Sequence, residues 1–196
     1  ITRPEQILSS LPQAINTMLD PADCGPATIS MSQDVQGEAF DYPEIFFEEK
    51  IHEIRRIHPD PNQIKEAADK LKKSSQPIII SGGGVLYSEA EEEISNFAKK
   101  HNIPVTATVM GIGCMNKDDP YYISAIGCLG EGSSNNLATD TDLALAVGTK
   151  LGDFTTGSWT NFENENFQLV SINTSRFDTT KHMATPVVSD AKVGLI

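Results

Sequence analysis

The residues best placed to do chemistry are glycines. Gly82-Gly83-Gly84 follows the apolar run Ile78 to Ile80, Met110 to Gly113 follows Val105 to Val109, and Gly148 to Asp153 follows Leu143 to Val147. A glycine turn after a buried strand lets the backbone come close to a ligand, and N–H groups at a helix start attract phosphate. The chemistry on offer is therefore nucleotide binding. The strict GxGxxG spacing is absent, because Tyr87 takes the sixth position counted from Gly82, and no acid follows about 20 residues on to hold a ribose hydroxyl. A second reading stands beside it, in which the glycines only let loops pack tightly. No catalytic constellation accompanies them. There is no GxSxG elbow, no cysteine with an evident histidine partner, and no HxxxH or HExxH among His52, His58, His101 and His182. Asp118-Asp119 precedes Pro120 and reads as a turn, and Asn135-Asn136 as a helix opening.

The elements that would position these loops alternate along the chain. Pro61 marks a boundary, and Asn62 caps a helix with Ile64, Ala67, Ala68 and Leu71 on one face and Lys65, Lys70, Lys72 and Lys73 on the other, a solvated face. Ile78 to Ile80 is short, unalternating and β-branched, as suits a strand buried on both faces of a parallel sheet. Ser88 and Glu91 form a capping-box pattern for a helix running to about His101. Further strands are expected at 105–109, 143–147, 167–173 and 186–189, with a short helix from Ser133 or Ser134 through Ala138 and a last helix capped by Asp190. Strand–helix alternation of this kind implies right-handed βαβ winding. The expectation is an α/β fold over residues 62–196: a three-layer α/β/α, Rossmann-like sandwich of the DHS-like NAD/FAD-binding kind, with a mostly parallel sheet of about six strands. Ligands bind such sheets beyond the carboxyl ends of the strands, where the loops 82–84, 110–113, 148–153 and 173–177 should gather.

The first 61 residues read differently. Ile7, Leu8, Leu11, Ile15, Met18 and Leu19 recur at helical spacing between Pro4 and Leu19, with Thr2 as a cap and Pro12 as a bend. Ala27 to Ser32 alternates like a strand. Residues 37–61, rich in aromatics, acids and proline, read as an interdomain linker, partly helical from Glu44 to Arg56. The chain starts at Ile1 without methionine and stops at Ile196 as a helix begins, which reads as a piece of a larger polypeptide.

Composition narrows the partners. A net charge of −12, a pI near 4.6 and no basic run argue against nucleic acid. No apolar run is long enough to span a membrane, and no leader pattern appears. Cys24, Cys114 and Cys128 are odd in number and form no CxxC, as suits free thiols of a cytoplasmic protein.

The strings PIIISGGGV, IPVTAT with Gly111 and Gly113, Asp119-Pro120, Gly127, Gly130 and TDLALAVGTKLGD resemble, in register over 62–196, the central domain of thiamine diphosphate-dependent enzymes of the acetolactate synthase-like group. Residues 1–36 resemble the last helix and strand of the preceding pyrimidine-binding domain. DPADCGPATISMSQDVQGEAFDYPEIFFEEKIHEIRR and INTSRFDTTKH are similar to a narrower group that opens a cyclic 1,2-dione with water in myo-inositol catabolism. An acetolactate synthase-like carboligase is the alternative. The resemblance implies thiamine diphosphate and Mg2+ held by the pyrimidine- and diphosphate-binding domains, outside this chain, and no catalytic residue or metal ligand within it. It implies a spacer that orients those domains, and a homo-oligomer. Some relatives bind FAD or ADP through loops matching Gly83, Gly84, Gly148, Thr149, Lys150 and Asn173. Here Lys150 stands where arginine is frequent and Asn173 where an acid often meets ribose; a lysine gives no bidentate fork. The resemblance thus implies a vestigial nucleotide cleft.

Overall fold

The computed structural model describes residues 1–196 as two compact units, Ile1–Arg55 and Arg56–Ile196.

In the first unit, a 3-10 turn at Pro4–Gln6 leads into α1 (Ile7–Leu19), with Pro12 inside the helix. Thr2 does not cap it; instead the Gln6 side chain turns back to accept the Thr2 N–H at 2.7 Å. α1 ends at Asp20, whose carboxylate accepts the N–H groups of Asp23 and Ala22, and these bonds hold its pKa below the ordinary value. Two features differ from expectation. Residues 27–32 form no strand, because the unit holds no second strand to complete a ladder, and a lone strand has no ladder bonds to hold it. Helix in 44–56 is limited to a 3-10 turn at Glu44–Phe47, after which the chain runs without regular structure to residue 60.

The second unit is a sheet of six parallel strands: β1 (Pro77–Ser81), β2 (Val105–Ala107), β3 (Tyr122–Ala125), β4 (Leu143–Val147), β5 (Gln168–Asn173) and β6 (Thr185–Val188), in the order β3-β2-β1-β4-β5-β6. The helices are α2 (Pro61–Lys73), α3 (Gly83–Tyr87), α4 (Glu91–His101), α5 (Gly132–Asp140), α6 (Asp153–Thr156), α7 (Arg176–Thr179) and α8 (Ala191–Gly194). Side chains alternate across the pleat. Ile79, Val105, Leu145, Val170 and Val187 join Val85, Ile94 and Ala98 in one core, against which Ile64, Leu71 and Phe97 pack. Ile78, Ile80, Ala144, Ala146 and Leu169 form the other with Ala138 of α5, closed by Trp159, Phe162 and Phe167. All of β4 is buried, as a strand covered on both faces must be. Each of Ile78, Ile79 and Ile80 contributes about 1.5–3 kcal/mol of burial.

Several local readings shift. Asp60, not Asn62, caps α2, with Pro61 in the first position, where its missing N–H does no harm. Lys70 leaves the solvated face and donates to Thr185 Oγ1 of β6. Helix begins directly after Gly82, so Ser88 ends α3 and α4 starts after Ala90. The strand expected over 105–109 stops at Ala107. β3, which no apolar run announces, is a half-buried edge strand. Asp142 binds the α2–β1 corner to the start of β4: its carboxylate accepts from the Ser74 hydroxyl and from the N–H groups of Ser75 (2.7 Å) and Gln76 (3.1 Å). Partial burial pushes this carboxyl up, but the three bonds outweigh it and its pKa lies below the ordinary value.

Candidate functional site

The strand order reverses between β1 and β4, since β1 leads to β2 on one side and β4 to β5 on the other. A doubly wound sheet opens its ligand crevice there, beyond the carboxyl ends. The glycine loops meet at this point and fill it with backbone. The N–H of Gly82 donates to the Val147 carbonyl at 2.8 Å, that of Gly84 to the Gly148 carbonyl at 2.9 Å, and that of Gly148 to the Ile172 carbonyl at 2.8 Å. A Cβ on Gly84 would lie 2.5 Å from Gly148 Cα, and one on Gly82 2.3 Å from the Gly148 carbonyl oxygen. Gly148 also has φ +60°, a backbone region that favours glycine. On the far side, a Cβ on Gly111 would come 2.2 Å from the Ser81 carbonyl oxygen.

Of the residues singled out by resemblance, Gly84, Gly148, Thr149 and Asn173 come together. Asn173 Nδ2 donates to the Thr149 carbonyl at 3.1 Å, and Asn173 Oδ1 accepts the Ser175 N–H at 3.0 Å. Thr149 is buried, and its Oγ1 accepts the Leu151 N–H. Gly83 faces Met110 instead, and Lys150 is exposed. The N–H groups of Gly82, Gly84 and Gly148 are thus engaged by carbonyls, and α3 has only five residues. Gly111, in the loop 110–113 expected to gather at this end of the sheet, belongs to this crossing. A second clamp lies under β3, where Asn135 bonds both the N–H (2.9 Å) and the carbonyl (3.1 Å) of Gly127.

Around the crossing, the segments that follow four strands carry exposed apolar side chains: Tyr87 after β1, Met110 after β2, Phe154 after β4 and Phe177 after β5. That is the chemistry of a contact surface, not of an anion site. Cys114 is buried, and burial pushes its thiol above the ordinary value. Cys24 and Cys128 are exposed. No group of three or more His, Cys, Asp or Glu side chains converges as metal ligands would, and no helix is long and apolar enough to cross a membrane.

The chain belongs to the thiamine pyrophosphate enzyme family, whose central-domain model matches residues 64–196. Among curated proteins it is similar to the 3D-(3,5/4)-trihydroxycyclohexane-1,2-dione hydrolases of Halalkalibacterium halodurans (45% identical over 192 residues, 98% of this chain) and Clostridium tetani (41% over 195 residues, 100% of this chain). The chain spans 30% of the length of each. Its fold matches that of benzoylformate decarboxylase from Polynucleobacter necessarius with a TM-score of 0.78 at 22% identity, over 100% of this chain and 36% of that one.

Proposed function

We propose that residues 1–196 are the middle portion of a thiamine diphosphate- and Mg2+-dependent hydrolase that opens trihydroxycyclohexane-1,2-dione to 5-deoxy-glucuronate in myo-inositol catabolism. The observation that carries this reading is identity of 41–45%, sustained across the chain, to relatives bearing that hydrolase name. Residues 1–36 then end a pyrimidine-binding domain, 37–61 form a linker, and 62–196 are the central domain. When bound, thiamine diphosphate supplies a carbon nucleophile and an electron sink. Its site and that of Mg2+ belong to the pyrimidine- and diphosphate-binding domains, outside these residues. This chain's own task is spacing and orientation of those domains in a cytoplasmic homo-oligomer. The apolar rim of Tyr87, Met110, Phe154 and Phe177 supports a contact role for the carboxyl edge. Gly83, Gly84, Gly148, Thr149, Lys150 and Asn173 mark a vestigial nucleotide cleft, a reading supported by the engaged amides of Gly84 and Gly148.

The test is turnover of the dione by the full-length protein. It should require both thiamine diphosphate and Mg2+. Equal turnover without them would contradict the reading, and acetolactate formed from pyruvate would favour a carboligase instead.

A further inference from the structure

The point where the chain enters the second unit is fastened unusually well for a segment without secondary structure. Arg56 Nη1 donates to the Ser88 carbonyl at 2.6 Å and to both carboxylate oxygens of Asp190 at 3.0 and 3.1 Å. One residue on, the Ile57 carbonyl accepts from the Asp190 N–H at 2.9 Å and from Ser189 Oγ at 3.1 Å. Asp190 does two things at once, because the same carboxylate caps α8 through the Lys192 N–H at 2.9 Å. The Arg56 and Asp190 side chains are 34% and 10% exposed, so the pair is shielded far more than an ordinary surface ion pair. Past this point, Gln63 Oε1 accepts the Val188 N–H at 3.0 Å, covering a free amide on the outer strand of the sheet. Neighbouring Arg55 is exposed like Arg56 but makes no side-chain hydrogen bond or ion pair, and Ile51 and Ile54 lie open.

We infer that Arg56 and Asp190 form a clasp that ends the linker, making Arg56 a positioning residue: it fixes the point at which the preceding polypeptide joins the sheet. The guanidinium reaches both the end of α3 and the start of α8, so a pull on the linker is borne by two corners of the folded unit and not taken up as slack. This use of the clasp rests on the spacer role proposed above; its existence does not.

Trypsin tests it directly. To cut after Arg56, the protease must take the arginine side chain into its own pocket and grip the backbone at Ile57, and both are held by the clasp. Arg55, one residue earlier, is the internal control. Asp190→Asn removes the charge but keeps a good helix cap, so the melting temperature should stay close to that of the parent. In the variant, initial cleavage after Arg56 relative to Arg55 should rise about tenfold, because proteolysis follows the population of the released segment. Arg56→Lys, which keeps the charge on a shorter side chain with a compact ammonium head, should leave cleavage at position 56 between the two. In the full-length enzyme, Asp190→Asn should lower kcat severalfold at unchanged KM. An unaltered cleavage ratio would overturn the clasp, and an unaltered kcat would overturn its positioning role. Should the full-length protein show no dione turnover at all, the functional reading fails while the cleavage ratio still decides the clasp.

Discussion

Helices α1 and α2 are alike in length and in apolar spacing, and opposite in fate. Each has thirteen residues and an apolar stripe at helical spacing. The stripe of α2, through Ile64, Ala67 and Leu71, packs against the core of its own unit. Within residues 1–55, Val35 is the one buried hydrophobic residue, and Leu11 and Met18 of α1 remain 36% and 49% exposed. The difference teaches that a hydrophobic pattern records that a face is to be covered, not what covers it. The second unit covers both faces of its sheet from within, whereas the first leaves the stripe of α1 partly open.

Substitutions sharpen that contrast. The largest effect is expected at the glycine crossing. Gly84→Ala sets a methyl group against Gly148 Cα, with backbone on both sides and nothing flexible to yield, and should cost more than about 3 kcal/mol or prevent folding. Gly132→Ala, which meets nothing within 4 Å at the start of α5, should change stability by about 0.5 kcal/mol or less. Denaturant melts of the two variants compare them directly. Similar losses would mean that the crossing is looser than its backbone contacts require.

Next come the two cores. Ile79→Ala empties a fully buried site and should cost about 2–5 kcal/mol. Leu11→Ala in α1 should cost about 0.5 kcal/mol or less in the same melt. Equal costs would break the comparison, since α1 would then be covered within the chain.

The smallest effect concerns the Asp142 corner. Its folded pKa lies below the ordinary carboxylate value, so the stability it adds is present above that ordinary value, about 4, and is lost as pH falls through the folded pKa. Asp142→Asn should therefore cost about 0.5–1.5 kcal/mol at neutral pH, because solvent screens a carboxylate this open. The gap to the parent should close in acid, below about pH 4. A gap that is constant across the acid range would assign the loss to shape instead of charge.

Much of the sheet is legible in the sequence, for a physical reason. Strands buried on both faces must be apolar throughout, so Leu143 to Val147 and Ile78 to Ile80 announce themselves by composition alone. β3 does not, because an edge strand needs no unbroken apolar run, and all four of its residues are only half-buried. The alternation of residues 27–32 is legible too, yet a strand also needs a neighbour, which composition cannot supply. At the candidate site, the glycines indicate close approach but not the object approached. Gly84 meets Gly148, and the Asn173 amide turns to the Thr149 carbonyl and the Ser175 N–H. Gly148 and Thr149 lie far in sequence from the residues they meet, and only the fold reveals those pairings.

We propose that this switch point, where the Gly82, Gly84 and Gly148 amides meet carbonyls, serves spacing and not nucleotide binding. Calorimetric titration of residues 1–196 with ADP and with FAD tests it most directly. No saturable heat at millimolar ligand is expected, and stoichiometric binding of either one, abolished by Asn173→Ala, would contradict the account.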